Sequence, residues 1–452
     1  MNAAPRKELT LLDSVCLIVG IIVGVGIYQM APDIAKGSSG GVGLLVLWLV
    51  GGLLSLCGAL GYAELATAYP QEGGDYAYLT RAYGRWAGFL FGWIQLAIVR
   101  PGDIAVTAFA FATYARAVYD PLEGGPFPHG QRVYACLAVI LLTAVNVAGV
   151  RQGKWTQNLL TIAKVLGLAA IVGVAAFAPQ GTAAPRIAER LPISLALLFV
   201  LFTFGGWNEM AYVAAEVVNP GRNIVRALVL GTASVTALYL LVNSAFLYAL
   251  GYEGLAASKA VATDTMAVVF PATAPAIISA LICVSALGAT NGLIFTGARI
   301  SYAMGADHAI FHKLGRWNAK TGTPVHALLL QGAISIALIV LLGSFLNAIL
   351  YTAAPVYLFY LATTAAVVVL RRRDALTPRP YRMWGYPITT AIFGLTCAFL
   401  AYSAVRYKPL VALTALGILL AGVPLYAISN LLRRKPVPEV PDGSESIGAH
   451  RN

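Results

Sequence analysis

What most constrains this chain is the regular succession of its apolar runs. About twelve stretches of close to 20 residues follow one another, each long enough to cross a bilayer as a helix. They cover 10–33, 42–68, 87–119, 131–150, 157–179, 192–215, 226–251, 274–304, 325–343, 346–370, 386–405 and 410–432. Backbone in lipid must satisfy its own hydrogen bonds, and runs of this length do so as helices. The chain of 452 residues is 59% hydrophobic and only 11% charged, with a mean hydropathy of +0.75. A typical soluble domain is roughly 25% charged. An ordinary water-soluble enzyme is excluded, and so is a disordered chain, which needs low hydrophobicity. The expected fold class is an all-α integral membrane protein.

The net charge of +12 belongs to loops rather than to a nucleic-acid surface. With both termini in the cytoplasm, about 20 of the Lys and Arg residues fall on the inner side and roughly 8 on the outer side, the asymmetry expected of a membrane protein. The inner set includes Arg6/Lys7, Arg81/Arg85, Arg151/Lys154, Arg222/Arg226 and the run from Arg299 to Lys320. MNAAPRKEL leads into the first span without a cleavable signal pattern. Residues 1–9 form a cytoplasmic segment, and the polar tail 433–452 reads as disordered. The five cysteines (Cys16, Cys57, Cys136, Cys283, Cys397) sit in apolar runs without a CxxC pair, as small packing residues. His308 and His312 are four apart but lack acidic or Cys support, so no metal site is expected. No HExxH, nucleophile elbow or deep carboxylate cluster is present, which argues against an enzyme.

Two spans carry helix breakers at their centres. The first reads Ile21-Ile22-Val23-Gly24-Val25-Gly26-Ile27-Tyr28, and the sixth reads Phe202-Thr203-Phe204-Gly205-Gly206-Trp207-Asn208. Each glycine weakens a helix by roughly 1 kcal/mol. Glycines also permit close helix packing, which is the plain reading of either motif alone. Breaks at corresponding places in two halves point instead to an inverted-repeat transporter with its site near the midplane. An unwound turn exposes N–H groups that attract an anion and carbonyls that attract a cation. A zwitterionic amino acid offers both.

Lys164 and Arg100 lie within spans, at depths where ionisable groups cost several kcal/mol and face a partner or a cavity. Lys164 reads as a fixed cation tying the fifth span to the first and eighth, doing what a bound sodium ion would do. Its other reading is a group that exchanges a proton during the cycle. Arg100 and Asp103, three apart, read as a pair on one helix face. Glu216 and Arg222 form either a gate at the cytoplasmic mouth or a plain surface pair. Glu64 needs a partner on the cytoplasmic side.

The ordered motifs resemble those of the L-type amino acid transporters in the amino acid–polyamine–organocation superfamily. GVGIY stands where that family has GSGIF, and Arg100-Pro101 is similar to its RP. Tyr69-Pro70 with Gly73-Gly74-Asp75-Tyr76, FTFGGWN, Glu216-Val217-Val218-Asn219-Pro220 and Arg379-Pro380-Tyr381 extend the likeness over nearly the whole chain. The resemblance implies two inverted five-helix repeats, 10–179 and 192–370, followed by two further helices in 386–432. It implies sodium-independent amino acid transport, often by one-for-one exchange, in the plasma or inner membrane, with no cofactor.

By position, the resemblance puts the substrate carboxylate on the N–H groups of Gly24, Val25 and Gly26 and the ammonium near the carbonyls of Ile22, Phe202 and Gly205. It makes Phe202 a gate, Asn208 a polar wall, and Lys164 with Ser285 the substitute for a sodium site. Tyr357 stands where relatives have tryptophan. Val25 replaces the family's serine, and Glu209 stands where relatives carry tyrosine, facing the headgroup region, a neighbouring helix or the cavity. Animal members join a heavy chain through a cysteine in the loop after the third helix. The loop Tyr119 to Arg132 has none, so no disulfide-linked partner is expected. The expected partners are amino acid substrates and the bilayer, and no nucleic acid. The competing readings are a proton-coupled amino acid or polyamine importer on the same fold, and a sensor or channel without turnover.

Overall fold

The computed structural model describes residues 5–121, 130–179, 190–342, 345–407 and 409–432, with only the backbone described at 342, 345–354 and 407. The polar tail and most of the loop after the third span lie outside the described residues. Helices dominate, and among the described residues the only β-type pairing is three isolated bridges. The first expected span divides into α1 (Leu11–Ile22), α2 (Gly26–Gln29) and α3 (Ala31–Lys36). α4 (Gly41–Ala68) is the second. A short helix, α5 (Asp75–Tyr83), leads into the third, made of α6 (Arg85–Ile94), a π-helical turn (Gln95–Val99) and α7 (Arg100–Val118). α8 (Gly130–Ala148) and α9 (Val150–Ala175) are the fourth and fifth. The fifth begins seven residues before the expected 157, because a hydropathy window passes over a first turn that carries Arg151 and Lys154.

The sixth span departs most from expectation. Only α10 (Ile193–Thr203) is α-helical; past the Gly205-Gly206 break the chain continues as two 3₁₀ turns, Glu209–Tyr212 and Ala214–Glu216. α11 (Pro220–Ala257), α12 (Val261–Ala267), α13 (Ala274–Asp307), α14 (Val325–Leu342), α15 (Phe345–Arg373), α16 (Ile388–Tyr407) and α17 (Pro409–Leu431) follow. Among the described residues, ten helices are long and apolar enough to cross a membrane. Two shorter apolar helices, Ile193–Thr203 and Val325–Leu341, occupy the expected sixth and ninth places.

Burial separates core helices from lipid-facing ones. The spans Leu11–Gln29, Arg85–Val118 and Ala274–Asp307 are each 72% buried, whereas Pro409–Leu431 is 11% buried. The first, third and eighth spans therefore form the centre, and α17 faces the lipid along Leu413, Leu416, Leu420 and Val423. Lipid is as apolar as a leucine side chain, so contact between helices comes from close packing of small residues. A Cβ on Gly52 of α4 would stand 2.4 Å from Thr236 of α11, so only glycine lets these two helices meet. α1 starts at a reciprocal cap in which Thr10 Oγ1 accepts from Asp13 N–H at 3.3 Å and Thr10 N–H donates to Asp13 Oδ2 at 2.9 Å.

Candidate functional site

The two broken helices meet. Gly206 has φ +104°, a conformation for which glycine is suited, and a Cβ there would lie 2.6 Å from Ile21 Cγ2. A Cβ on Gly26 would lie 3.0 Å from Thr203. Both readings of these glycines therefore apply: they break helices and allow the breaks to touch. At the first break, Gly24 N–H turns back onto Ile22 C=O at 2.7 Å. Val25 and Gly26 open the next helical segment, where no preceding turn supplies an acceptor for their N–H groups. Tyr239 of α11 joins the breaks, its hydroxyl reaching Ile22 C=O at 2.9 Å and Thr203 C=O at 3.2 Å. The carbonyl of Ile22 thus already accepts two hydrogen bonds. Phe202 C=O accepts from Gly205 N–H at 2.9 Å.

A cavity of about 200 Å³ lies against both breaks. Ile22, Gly24, Val25, Gly26, Phe202, Gly205 and Tyr357 all line it. Asn208 does not. It is fully buried beneath the cavity, donating to Tyr212 Oη at 2.9 Å and accepting from the Tyr360 hydroxyl at 3.0 Å. The next residue, Glu209, supplies the polar wall instead.

Glu209 resolves into a buried ion pair. Arg100 Nη1 donates to Glu209 Oε1 at 2.7 Å, and Thr296 Oγ1 donates to Oε2 at 2.6 Å. Asp103 on the same helix attracts Arg100 as expected, and the direct ion pair is made with Glu209 of the sixth span. Asp103 also lines the cavity. The π-helical turn Gln95–Val99 immediately precedes Arg100 and sets its direction; such turns recur at functional sites. The Arg100 guanidinium also lies 4.7 Å above the Tyr212 ring.

Behind the first break, Lys164 is fully buried, and its ammonium donates to Gly20 C=O (2.7 Å), Val23 C=O (2.8 Å) and Ser285 C=O (2.9 Å). Ser285 Oγ donates to Val23 C=O at 2.9 Å and Gly24 C=O at 3.1 Å. The lysine and the serine thus hold one break from the fifth and eighth spans together. Gly288 makes room for this, since a Cβ there would stand 2.8 Å from Lys164 Nζ.

At one end of the bundle, the N-terminal segment is bonded to the end of the sixth span. Glu8 and Leu9 N–H donate to Glu216 C=O, both at 2.9 Å, and Val218 N–H donates to Leu9 C=O at 2.9 Å. Glu216 does not pair with Arg222, which is exposed. Its carboxylate takes Nε and Nη2 of Arg299 at 2.7 and 3.1 Å, with both partners fully buried. Arg299, counted with the cytoplasmic-side charges, lies inside α13 within the expected eighth span, and this pairing offsets part of the cost of its burial. Glu64 finds its partners in Arg371 and Arg379 and accepts Met383 N–H at 2.7 Å.

Sequence reasoning missed Asp75 as more than part of a motif. Tyr62 and Thr363 donate to its Oδ1, and Tyr212 donates to Oδ2 at 2.6 Å. Burial pushes its carboxyl above the ordinary range, although these hydroxyls pull the other way. Tyr239 was missed too; no local pattern marks a tyrosine that spans two breaks. His308 is buried near Ser429, and the described residues contain no group of three or more His, Cys, Asp or Glu able to hold a metal.

A membrane bundle with two helices broken against each other beside a cavity is the architecture of a substrate transporter. Residues 9–420 match the family model for amino acid permeases. The large neutral amino acids transporter small subunit 2 of Homo sapiens is 34% identical, over 96% of this chain and 82% of that protein. The b(0,+)-type amino acid transporter 1 is 33% identical in Mus musculus, over 82% of this chain and 78% of that protein. In Homo sapiens it is 31% identical, over 89% and 84%. The chain belongs to the amino acid permease family, in its L-type transporter branch, and is a multi-pass membrane transporter rather than an enzyme.

Proposed function

We propose that the protein exchanges neutral amino acids across the cell membrane without sodium, by alternating access. The observation that carries this is the pair of touching breaks beside a cavity of about 200 Å³, with Val25 and Gly26 N–H groups on one side and carbonyls of the sixth span on the other. The amino acid carboxylate meets the N–H end of the first break and its ammonium meets carbonyls around Phe202 and Gly205. Lys164 supplies the fixed positive charge that holds the first break, leaving no step that needs sodium. Neutral side chains are favoured because Arg100 neutralises Glu209. The relatives named for large neutral amino acids support the same class.

In this reading Phe202 and Tyr357 close over the substrate, and Glu216 with Arg299 closes the cytoplasmic mouth. Residues 10–179 and 192–370 are the two inverted repeats, and both termini are cytoplasmic. A relative named as a small subunit implies a larger companion for that relative. This chain works without a disulfide-linked one, since residues 119–132 contain no cysteine.

The test is counterflow in sodium-free proteoliposomes, with unlabelled amino acids inside and labelled alanine, serine and leucine outside. The expected result is uptake that requires an internal amino acid and is unchanged by sodium. Uptake that needs no internal amino acid and follows an imposed pH gradient would replace exchange with proton-coupled import.

A further inference from the structure

Glu72 lies in the turn between α4 and α5. The fold buries it. Glu72 pairs with Val213 as an antiparallel bridge, and Gly73 N–H donates to Tyr212 C=O at 3.1 Å. A Cβ on Gly73 would stand 2.7 Å from Ala303 of α13, so the turn is wedged between α13 and the 3₁₀ turns of the sixth span. Both carboxylate oxygens of Glu72 are enclosed, and among the described residues neither has a hydrogen-bond partner.

Its charged neighbours make no hydrogen bond to it. Arg299 of α13 is the adjacent cation, but Nε and Nη2 are bonded to Glu216 and Nη1 donates to Phe295 C=O at 2.7 Å. Glu216, from the turn Ala214–Glu216, adds a like charge. The other titratable groups facing Glu72 are the phenols of Tyr302 on α13 and Tyr78 on α5. Asp75 on α5 is occupied by three hydroxyl donors. One guanidinium thus stands beside two carboxylates, and Glu216 holds it. An ionised Glu72 would be an uncompensated buried charge, which a protein avoids by taking up a proton.

We propose that Glu72 is a proton-binding site that latches the end of the bundle carrying the N-terminal segment, protonated when that end is closed and ionised when it opens. The bridges Glu72–Val213 and Leu9–Val217 share the turns of the sixth span, so separating this end brings water to the Glu72 carboxylate. The proton enters and leaves on one side of the membrane. It therefore sets the balance between closed and open forms and does not drive transport.

Burial, followed by the Glu216 charge, holds the Glu72 carboxyl well above the usual carboxylate range in the closed form. In water it returns to about 4.3. The closed form binds the extra proton, so closure strengthens as pH falls. Between the two values the open-to-closed ratio changes up to about tenfold per pH unit.

The experiment is hydrogen exchange on the full chain in lipid nanodiscs without substrate, between pH 8 and 5.5, corrected for the intrinsic amide rate. The reporters are the amides of Glu8, Leu9 and Val218, which are bonded across the closure. The expected result is protection that rises as pH falls in the wild type, and protection that is high and independent of pH in Glu72→Gln. Glu72→Leu, which also removes the charge, is expected to match Glu72→Gln, so a packing fault in one variant is separable from loss of the latch. Flat protection in the wild type, or the same slope in wild type and both variants, would overturn the proposal. The assay involves no transported amino acid, so its outcome is independent of substrate class.

Discussion

Lys164→Met tests the first break most directly, because methionine keeps an unbranched side chain only about one atom shorter and deletes all three donors. The three carbonyls are affected unequally. Gly20 C=O is left without a partner, since Gly24 N–H, which a continuous helix would bring to it, turns to Ile22 instead. Val23 C=O keeps Ser285 Oγ at 2.9 Å. Ser285 C=O lies inside α13 and keeps its helical bond. The orphaned carbonyl costs about 1–3 kcal/mol, and each of the two other charged hydrogen bonds is worth about 1.5–3 kcal/mol. Against this gross loss of about 4–9 kcal/mol stands the relief of burying an ammonium, itself several kcal/mol. The terms largely offset in overall stability, so the variant folds with a small shift in melting temperature. They do not offset at the break, which loses its ties to α9 and α13 together. If about 3 kcal/mol of those ties favours the competent geometry, exchange falls about 100-fold. Lys164→Gln retains up to two donors and should fall between. The assay is sodium-free counterflow on monodisperse protein of matched melting temperature. Exchange by Lys164→Met within about threefold of wild type would refute the reasoning, because it would mean less than about 0.7 kcal/mol of the three bonds acts on the cycle.

Other variants probe the remaining contacts. Glu209→Gln leaves Arg100 charged and buried, and should destabilise by about 3–5 kcal/mol in thermal melts; replacing both residues by Met should cost less than the single change. Gly206→Ala forces a side chain into a +104° φ and against Ile21, and should cut counterflow by about tenfold or more. Gly205→Ala, whose Cβ would meet only Phe202 C=O at 3.0 Å, should be milder. The Arg81 guanidinium holds Asp374 below the usual carboxylate range. This stabilisation is present above about pH 3.9 and is lost as pH falls through the lowered value. Arg81 is half exposed, so Arg81→Gln should cost less than about 1 kcal/mol at neutral pH, and the difference should vanish in acid melts.

The parts of this molecule that were legible in the sequence are those set by local chemistry. Length and apolarity marked the spans, and paired glycines marked the breaks, because both signals lie within about 20 residues. Lys164 stood out because an unshielded ammonium at depth demands acceptors, and an unwound turn nearby supplies them. The choice between Asn208 and Glu209 was not legible. It depends on the chain leaving the break as a 3₁₀ turn, which directs Asn208 toward Tyr212 and Tyr360 and Glu209 toward Arg100. Partners far apart in the chain were hidden for the same kind of reason. Glu64 and Arg371 are 307 positions apart, and only the packing of α15 beside α4 brings them together.

Arg299 and Glu72 carry this argument furthest. Arg299 was counted with the cytoplasmic-side cations and nothing marked Glu72, yet both are buried at one end of the bundle. A sequence states that a buried charge requires a partner, but not which of several candidates the fold delivers. At this closure it delivers one guanidinium to two carboxylates, and bonds it to Glu216. That shortage, invisible in either segment alone, leaves Glu72 to be neutralised by a proton. A cation supplied to Glu72 should therefore do what the proton does. A closure held by such a substitute would lose its dependence on pH while keeping the amides of Glu8, Leu9 and Val218 protected.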